Sequence, residues 1–487
     1  MSLFSPCRPL PRRQFLRLVA ALPVAAALPA LAGGCFSPAA TPASTPTPAG
    51  STASQGASAV ATPTQPLPTR HTATPAARVG GHTVAVLKCS PKDSDRAIED
   101  RLVAATGMVM NLAQTLEGKR KVYIKPNIGV GKLTQKEQGR LYAIVDPALL
   151  RATVAMLRRH YSGEIVIGEA LTEPGATIDA VYKLGGYSDA VRDFDVRFVD
   201  LDRPPYADFP VPGGGVMFSC YSLSQELAGA DFVVSLAKMK SHLCGGVTLT
   251  LKNLFGLPPL RLNGNPRRYL HQLVRLPRVL VDLGLIMRPS LCIVDALVGQ
   301  NEKEWDGPPV VPGLLVVGDN TIGTDAVAAR LMGHDPEGDY GQAPFFWDRN
   351  PLRIGVEAGL GSASASEIIV KGDQIDRQSL PKFYVGRGLS SQEDAARKSL
   401  ADQARSYLAQ RDGLLKQHQG KMVGLLDGKV VVTLESEAEL GFGPGGKGDL
   451  LWSAQGAGLF LKRVVPADED PERFEVYEGE LVPPSQS

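Results

Sequence analysis

Short apolar runs alternate with longer segments of helical period between residues 82 and 372. The apolar runs are typical of strands buried on both faces, and the segments between them have the spacing of amphipathic helices. This alternation predicts an α/β fold, a doubly wound, mostly parallel sheet with helices on both faces. The predicted strands are 84–87, 121–125, 164–168, 196–201, 231–236, 291–295, 314–317 and 368–370, and the predicted helices are 96–116, 147–160, 176–184, 267–286 and 321–332.

The pattern changes after about Arg387. Residues 392–417 are charged and helical in period, and Asp427-Gly428 separates two apolar runs in the manner of a hairpin with a type I′ turn. Further short strands are predicted at 459–464 and 474–476. We therefore predict an α/β core domain over 82–372 and a small α+β accessory domain over 388–487.

The N-terminus has the pattern of an export signal. Arg12-Arg13 with Phe15-Leu16 resembles the twin-arginine motif, and the apolar stretch 18–31 is too short for a permanent membrane span. This predicts a signal peptide over 1–34, with an uncleaved anchor helix as the alternative. Twin-arginine signals direct the export of folded proteins, so a cofactor inserted before export is an expectation of this motif.

Cys35 follows the signal in a context that resembles a bacterial lipobox, although Ala32 stands where leucine is usual. We expect Cys35 to be lipidated, and ordinary cleavage without lipid is the alternative. Residues 35–81 are dominated by Ala, Thr, Pro, Ser and Gly, which cannot form a core, and are predicted to be a disordered linker. The prediction is an exported lipoprotein at the outer face of the cytoplasmic membrane or in the periplasm.

The overall charge gives no support for a nucleic-acid partner. Lys and Arg total 52 and Asp and Glu total 50, which leaves a net charge of +2. Nucleic-acid binding generally needs a strong basic excess or stripe. Any cluster of cations in one segment therefore indicates a local binding site and is not a property of the whole chain.

Such a cluster occurs at 238–256, directly after the predicted strand 231–236. Lys238, Lys240 and His242 would share one side of the strand if it continues, because side chains alternate along a strand. The pair Gly245-Gly246 allows the backbone to approach a ligand closely. We predict that this segment forms a binding site for a small anion. His242 and Lys252 are the predicted catalytic residues, with His242 acting as an acid/base or as a metal ligand. Lys238, Lys240 and Asn253 are predicted to bind the substrate. The alternative is a solvated loop.

Further polar residues follow other predicted strands, and open α/β sheets bind ligands at the carboxyl ends of their strands. Lys125 and Asn127 end the second strand, where an ordinary turn is the alternative. Asp295 ends another strand, and Asp319 and Asp325 lie beside the start of the helix 321–332. The three aspartates are predicted to bind a cation or ligand hydroxyls. The alternative is that Asp319 or Thr321 caps the helix, and Asp325 in its first turn favours the helix dipole in either case.

The cysteines leave the cofactor open. Beyond the signal and Cys35 the chain has Cys89, Cys220, Cys244 and Cys292, with no Cys-x-x-Cys spacing. Disulfides and buried free thiols are both compatible with this usage. No ferredoxin-type motif is present, and the cofactor is left as unknown, with a metal or an anionic cofactor as the candidates.

Several segments in order along the chain carry a family resemblance: Lys125-Pro-Asn127, Gly185-Gly-Tyr187, Lys238-x-Lys240-x-His242, Thr248-Leu-Thr-Leu-Lys-Asn-Leu-Phe-Gly256, Ile293-Val-Asp295 and 325–333. Together they resemble the bacterial and archaeal family of domains of unknown function 362. The resemblance covers roughly 82–372, and the run Thr248–Gly256 is its most specific part. Some members of that family have ferredoxin-type cysteine motifs, which this chain lacks.

The family implies no particular activity. The residues alone predict an exported, membrane-tethered protein that binds a small anionic ligand or cofactor at 238–253 and acts on it as an oxidoreductase or isomerase. Its predicted partners are that ligand and, through the lipid anchor, the membrane. The alternative is a non-catalytic cell-surface protein that binds solutes or serves as a scaffold.

Overall fold

A computed structural model describes residues 81–128, 134–170, 177–304, 306–385, 390–441, 446–448, 451 and 458–479. The predicted signal peptide, the lipidation at Cys35 and nearly all of the predicted linker lie outside the described residues. In the described part of the chain, no helix has both the length and the apolar character needed to cross a membrane.

A single large sheet organises the core. Its eight consecutive strands lie in the order β14-β1-β13-β11-β9-β2-β5-β6, with β10 and β12 paired to β9 and β11. Two short pairs, β3 with β4 and β7 with β8, lie outside it. The strands are β1 His82–Lys88, β2 Lys121–Pro126, β3 Lys136–Glu137, β4 Arg140–Leu141, β5 Glu164–Glu169, β6 Arg197–Asp200, β7 Tyr206–Pro210, β8 Cys220–Ser224, β9 Phe232–His242, β10 Gly246–Thr248, β11 Leu291–Gln300, β12 Pro309–Val310, β13 Leu314–Gly318 and β14 Ile368–Gly372.

Helices connect these strands and cover the sheet. Alternate side chains of β11 enter different apolar clusters, Ile293 on one face and Val294 on the other, so both faces are buried. The predicted α/β class, a mostly parallel sheet with helices, is confirmed. The helices are α1 Asp95–Val109, α2 Leu112–Leu116, α3 Pro147–Arg158, α4 Ile178–Leu184, α5 Tyr187–Ala190, α6 Thr250–Asn253, α7 Leu260–Asn263, α8 Arg275–Met287, α9 Thr321–Met332, α10 Pro351–Glu357, α11 Ser390–His418 and α12 Glu475–Gly479.

Strand β13 departs from the parallel arrangement. It runs antiparallel to both of its neighbours, β1 and β11, and its last residue, Gly318, pairs with Cys292 near the start of β11. Asp319 therefore lies at the amino end of β11, where it accepts a hydrogen bond from Thr83 N at 3.2 Å. The prediction that placed Asp319 at the carboxyl edge of the sheet is wrong, because it assumed a parallel strand.

Local signals fixed several boundaries. The Asp146 side chain accepts from Ala148 N and caps α3, as Asp146-Pro147 predicts. Helix α9 is capped by Asn320, and the prediction of Asp319 or Thr321 in that role is wrong. The predicted helix 267–286 begins only at Arg275, because residues 267–274 form turns with positive φ at Arg267 and Val274.

The C-terminal region forms a separate three-stranded sheet, β16-β15-β17, with β15 Met422–Leu426, β16 Lys429–Leu434 and β17 Phe460–Arg463. The hairpin is confirmed, since Asp427 and Gly428 both have positive φ between antiparallel β15 and β16. The predicted strand 474–476 is wrong, because α12 occupies that position. The domain boundaries at 372 and 388 stay predictions.

Candidate functional site

Strand β9 extends six residues beyond its predicted end and reaches His242. It then turns back into β10, and His242 pairs with Gly246. Gly246 has a φ of +73°, and an added Cβ would lie 2.9 Å from the Phe345 ring, so both the backbone and the packing require glycine. The hairpin holds Lys238, Lys240 and His242 at the carboxyl end of the sheet.

Helix α6 follows β10 and is anchored through its first turn. The Asp325 carboxylate accepts from Thr250 N at 2.8 Å, Thr250 Oγ1 at 2.6 Å and Leu251 N at 2.8 Å. Burial raises the pKa of Asp325 to about 7, although these three donors oppose the rise. Each of these hydrogen bonds joins the Asp325 carboxylate to the start of α6. This aspartate therefore positions the helix and does not face a ligand.

Asn253 at the end of α6 joins the helix to two strands. Its Nδ2 donates to Lys125 O at 2.8 Å and lies 3.1 Å from Ser235 Oγ. Its Oδ1 lies 3.3 Å from Asn127 Nδ2. Both the nitrogen and the oxygen of this buried amide have hydrogen-bond partners within the protein. Asn253 therefore has a structural role in place of the predicted ligand contact. Asn127 Oδ1, in contrast, has no hydrogen-bond partner within the described residues.

Lys125 is buried beneath α6 in an ion pair. Its Nζ lies 3.2 Å from Glu169 Oε2 and donates to Pro126 O at 2.7 Å. Burial lowers the pKa of Lys125 to about 8, with Glu169 opposing that shift. Gly256 packs directly on this pair, because an added Cβ would lie 2.6 Å from both Lys125 Nζ and Glu169 Oε1. Lys125 is therefore part of the support of the site.

A second buried ion pair lies on the other side of β9. Lys238 Nζ is 2.9 Å from Asp295 Oδ2 and donates to Leu141 O at 2.5 Å. Asp295 also accepts from Asp146 N at 2.8 Å, and both charged side chains are fully buried. Lys240 Nζ donates to Ala143 O at 2.9 Å on the same side, as the strand alternation predicts. Lys238 and Asp295 neutralise each other and are not presented to a ligand.

An outer group of side chains remains at this edge: His242, Lys252, Phe255, His271 and Glu304, which we call the rim cluster. The His242 and His271 rings stack with centroids 5.9 Å apart, and His271 also contacts the Phe255 ring edge-on. Lys252 Nζ lies 4.6 Å above Phe255. Its ammonium makes no hydrogen bond or ion pair with any residue of the described ranges, and the side chain is only partly buried.

The protonation states in the rim cluster follow from burial and mutual repulsion. Burial, then Lys252 and Lys240, holds the pKa of His242 well below its ordinary value. Burial lowers the pKa of Lys252 to about 8 and that of Lys240 to about 8, with Glu304 opposing both shifts. The imidazole is thus neutral near pH 7, while both lysines titrate close to physiological pH.

The hydrogen bonds of His242 define its tautomer. Its Nδ1 accepts from Gly245 N at 3.0 Å, which leaves the proton on Nε2. Nε2 is 3.8 Å from Glu304 Oε1, and Glu304 itself accepts from Leu243 N at 3.1 Å. The Nε2–H group can therefore donate to an oxygen of a bound molecule, beside an ammonium group that attracts anions.

Within the described ranges, no group of three or more His, Cys, Asp or Glu side chains is arranged to hold a metal ion. No disulfide joins any of the four described cysteines, Cys89, Cys220, Cys244 and Cys292. Burial raises the pKa values of Cys89 and Cys292 to about 12, which makes these two unreactive.

Sequence reasoning missed His271 and Glu304. Both reach the rim cluster from connecting segments that are distant from 238–256 along the chain, and neither belongs to a motif. His271 lies in the turn that precedes α8, where the sequence predicted a helix, and Glu304 lies between β11 and β12. No spacing in the sequence links them to His242.

Comparison with known proteins agrees with the resemblance noted in the sequence. The model of the family described as "Domain of unknown function (DUF362)" matches residues 122–330. The thylakoid-associated protein sll1697 of Synechocystis sp. is 27% identical over 222 residues, which are 44% of this chain and 64% of that protein. The match thus spans less than two thirds of the curated relative.

Among solved structures, the lactate racemase apoprotein of Thermoanaerobacterium thermosaccharolyticum matches 52% of this chain and 57% of its own. The identity is 11% and the TM-score is 0.28, a likeness too low to support an argument about function. The family match covers the strands β2, β5, β9 and β11 together with α6 and α9. Residues 122–330 of this chain are thus similar to the DUF362 family of domains of unknown function.

Proposed function

We propose that this protein binds a small metabolite bearing a carboxylate or phosphate group at the rim cluster and transfers a proton to or from it. The observation that supports the proposal best is Lys252, a partly buried residue whose ammonium has no ion-pair partner in the described ranges, beside a neutral His242. Lys125 and Lys238 have buried carboxylate partners, whereas Lys252 has its charge available for a ligand.

The chemistry follows from the two protonation states. A neutral imidazole with its proton on Nε2 donates a hydrogen bond to a carbonyl or alkoxide oxygen and stabilises developing negative charge. The pKa of Lys240 is also about 8, so this second lysine is partly neutral at physiological pH and can accept a proton while the Lys252 ammonium holds the anion. Proton removal from a carbon next to a carbonyl, followed by protonation on the opposite face of that carbon or at a neighbouring atom, is an isomerase reaction. We therefore favour an isomerase over an oxidoreductase.

Binding and turnover can be tested separately. Isothermal titration with inorganic phosphate and with pyruvate measures binding, and NMR in D₂O measures exchange of the pyruvate methyl protons in excess of buffer. We expect Lys252→Gln to weaken binding about tenfold, because a charge-assisted contact is worth roughly 1.5–3 kcal/mol. The exposed Lys92→Gln makes the same charge change and should leave binding unaltered.

His242→Gln should abolish the exchange while it keeps most of the affinity. Binding without any exchange in the wild-type protein would favour the alternative, a solute-binding protein. Equal binding by the wild-type protein and Lys252→Gln would exclude the rim cluster as the site.

We further propose that the chain is exported and anchored through lipid at Cys35, on the basis of the twin-arginine and lipobox-like segments. Mass spectrometry of the mature N-terminus should find acylated Cys35 in the membrane fraction. Cys35→Ser should shift the protein to the fraction without membranes. Unmodified Cys35 within an intact N-terminus would contradict this proposal.

A further inference from the structure

A cavity lies between the C-terminal end of α9 and the segment 377–385, and Lys252 is not among the residues that line it. Its volume is about 370 Å³. Its walls are mainly apolar and include Met332, Phe346 and Phe383. Cavities of this size, apolar walls and a few convergent polar groups are typical of sites for small organic molecules. Neither the family match nor the rim cluster assigns a role to it.

His334 supplies a polar group to this cavity that the fold itself does not use. The residue is 8% exposed, and its Nε2 has no hydrogen-bond partner within the described residues. Burial, with a contribution from Arg377, lowers the pKa of His334 to about 4, so the ring is neutral near pH 7. A buried polar nitrogen without a partner costs roughly 1–3 kcal/mol, which a ligand that hydrogen-bonds to it would recover.

Two cationic side chains also line the cavity. Arg377 is held in place, because its Nε donates to Arg330 O at 3.1 Å and its Nη1 donates to Leu380 O at 3.2 Å. Lys382 is exposed, and its backbone carbonyl accepts a hydrogen bond from Asn301 Nδ2 at 3.2 Å. The cavity thus combines aromatic walls with positive charge and a neutral imidazole.

We propose that this cavity binds a small aromatic carboxylate, with its ring against Phe346 and Phe383 and its carboxylate group near Arg377 and Lys382. The aromatic side chains supply stacking or edge contacts to a flat ring. The cations select for a carboxylate over a neutral amide of the same shape. The inference is independent of the proposed function of the rim cluster.

The cavity wall is also connected to the β9–β10 hairpin. Asn301 Oδ1 accepts from Tyr384 N at 2.6 Å and lies 3.3 Å from Ser241 Oγ, next to His242. Asn301 therefore joins the segment that lines the cavity to the strand that ends in the rim cluster.

Ligand-observed ¹⁹F NMR with 4-fluorophenylacetate on the full protein tests the proposal. We expect saturable binding, at least about fivefold weaker binding of 4-fluorophenylacetamide, and loss of binding in Val385→Trp, which fills the cavity. Lys382→Gln should weaken binding about threefold to tenfold, as expected for one partly solvated charge. Lys92→Gln is the matched control, because Lys92 is exposed and is not among the residues that line the cavity.

The proposal is overturned if the wild-type protein shows no saturable binding, if the amide binds as well as the acid, or if Val385→Trp, folded by circular dichroism, binds normally. Binding that Lys252→Gln abolishes and Val385→Trp leaves intact would assign the probe to the rim cluster and would also refute this cavity as its site.

Discussion

Lys125 and Lys252 have the same side chain, lie at the same edge of the sheet and have different roles. Lys125 Nζ is fully buried against Glu169, whereas Lys252 is partly exposed above the Phe255 ring. Burial lowers the pKa of each to about 8, since desolvation disfavours a charged amine in both places. What separates them is a carboxylate partner, and at the residue scale this decides which lysine can bind an anion.

The pH dependence of anion binding follows from the same values. The Lys252 ammonium is present below its pKa of about 8 and is lost above it. We expect the affinity for phosphate to fall as pH rises from 7 to 9.5, by up to roughly tenfold per unit above the pKa. Titrations of the wild-type protein and Lys252→Gln in the same buffers should show a clear loss of this dependence in the variant. A wild-type affinity that is constant over this range would contradict a role for the ammonium.

At the scale of elements, α6 and the turn after it form a clamp over the ends of β2 and β9. Asp325 binds the start of α6, Asn253 ties its end to the neighbouring strands, and Gly256 lies against the Lys125–Glu169 pair. The polar residues of the run Thr250–Gly256 are thus mainly structural, and Lys252 is the one whose charged end is left for other contacts. This explains why so specific a sequence surrounds a single candidate functional lysine.

The glycine of this clamp gives a direct test. Gly256→Ala should destabilise the protein by about 1–3 kcal/mol, because the new Cβ would lie 2.6 Å from two buried charged atoms. Gly107→Ala is the matched control, since Gly107 lies in α1 with no atom within 4 Å of an added Cβ. That change should be neutral or should stabilise by about 0.5 kcal/mol. Urea unfolding measures both, and equal effects would refute the clamp.

At the scale of the whole molecule, the C-terminal sheet is joined to the core by buried charges. Arg275 of α8 contacts Glu472 at 2.7 Å, and Glu472 also lies 3.0 Å from Lys462 of β17. Ser219 N donates to Pro471 O at 2.8 Å beside this network. Apolar residues of α11 and the C-terminal sheet, among them Tyr407 and Phe460, share one cluster with the core. We infer that the two regions stabilise each other.

Glu472→Gln should therefore be severely destabilising, by about 3–5 kcal/mol, because it leaves the Arg275 charge buried without its carboxylate. The exposed pair Arg405–Glu478 is the matched control, and Glu478→Gln should leave the stability nearly unchanged, because exposed ion pairs contribute little. Denaturant unfolding of both variants measures the difference. A loss in Glu472→Gln no larger than in the control would show that this contact does not hold the regions together.

Acid should affect the same contact in a predictable direction. Burial alone would raise the pKa of Glu472, but Arg275 and Lys462 lower it to about 2, below the ordinary value of 4.5. The stabilisation is therefore complete above pH 4.5 and is lost as pH falls toward 2. Wild-type stability should fall over this window by more than that of Glu472→Gln.

The sequence by itself determined the class of fold and pointed to the segment for which we propose a site. The periods of apolar residues, the Asp146-Pro147 cap and the Asp427-Gly428 turn act locally, so they can be recognised without knowledge of distant contacts. The family resemblance likewise depends on short segments, each of which can be recognised from residues close together along the chain.

Tertiary structure alone decided which polar residues pair with one another. Lys238 meets Asp295, Lys125 meets Glu169 and Asp325 meets Thr250 only after strands distant in sequence have been brought side by side. The antiparallel direction of β13, which removes Asp319 from the site, is likewise a property of strand pairing. A charged side chain is available to a ligand only when no nearby group neutralises it, and that depends on three-dimensional proximity, which local sequence patterns do not specify.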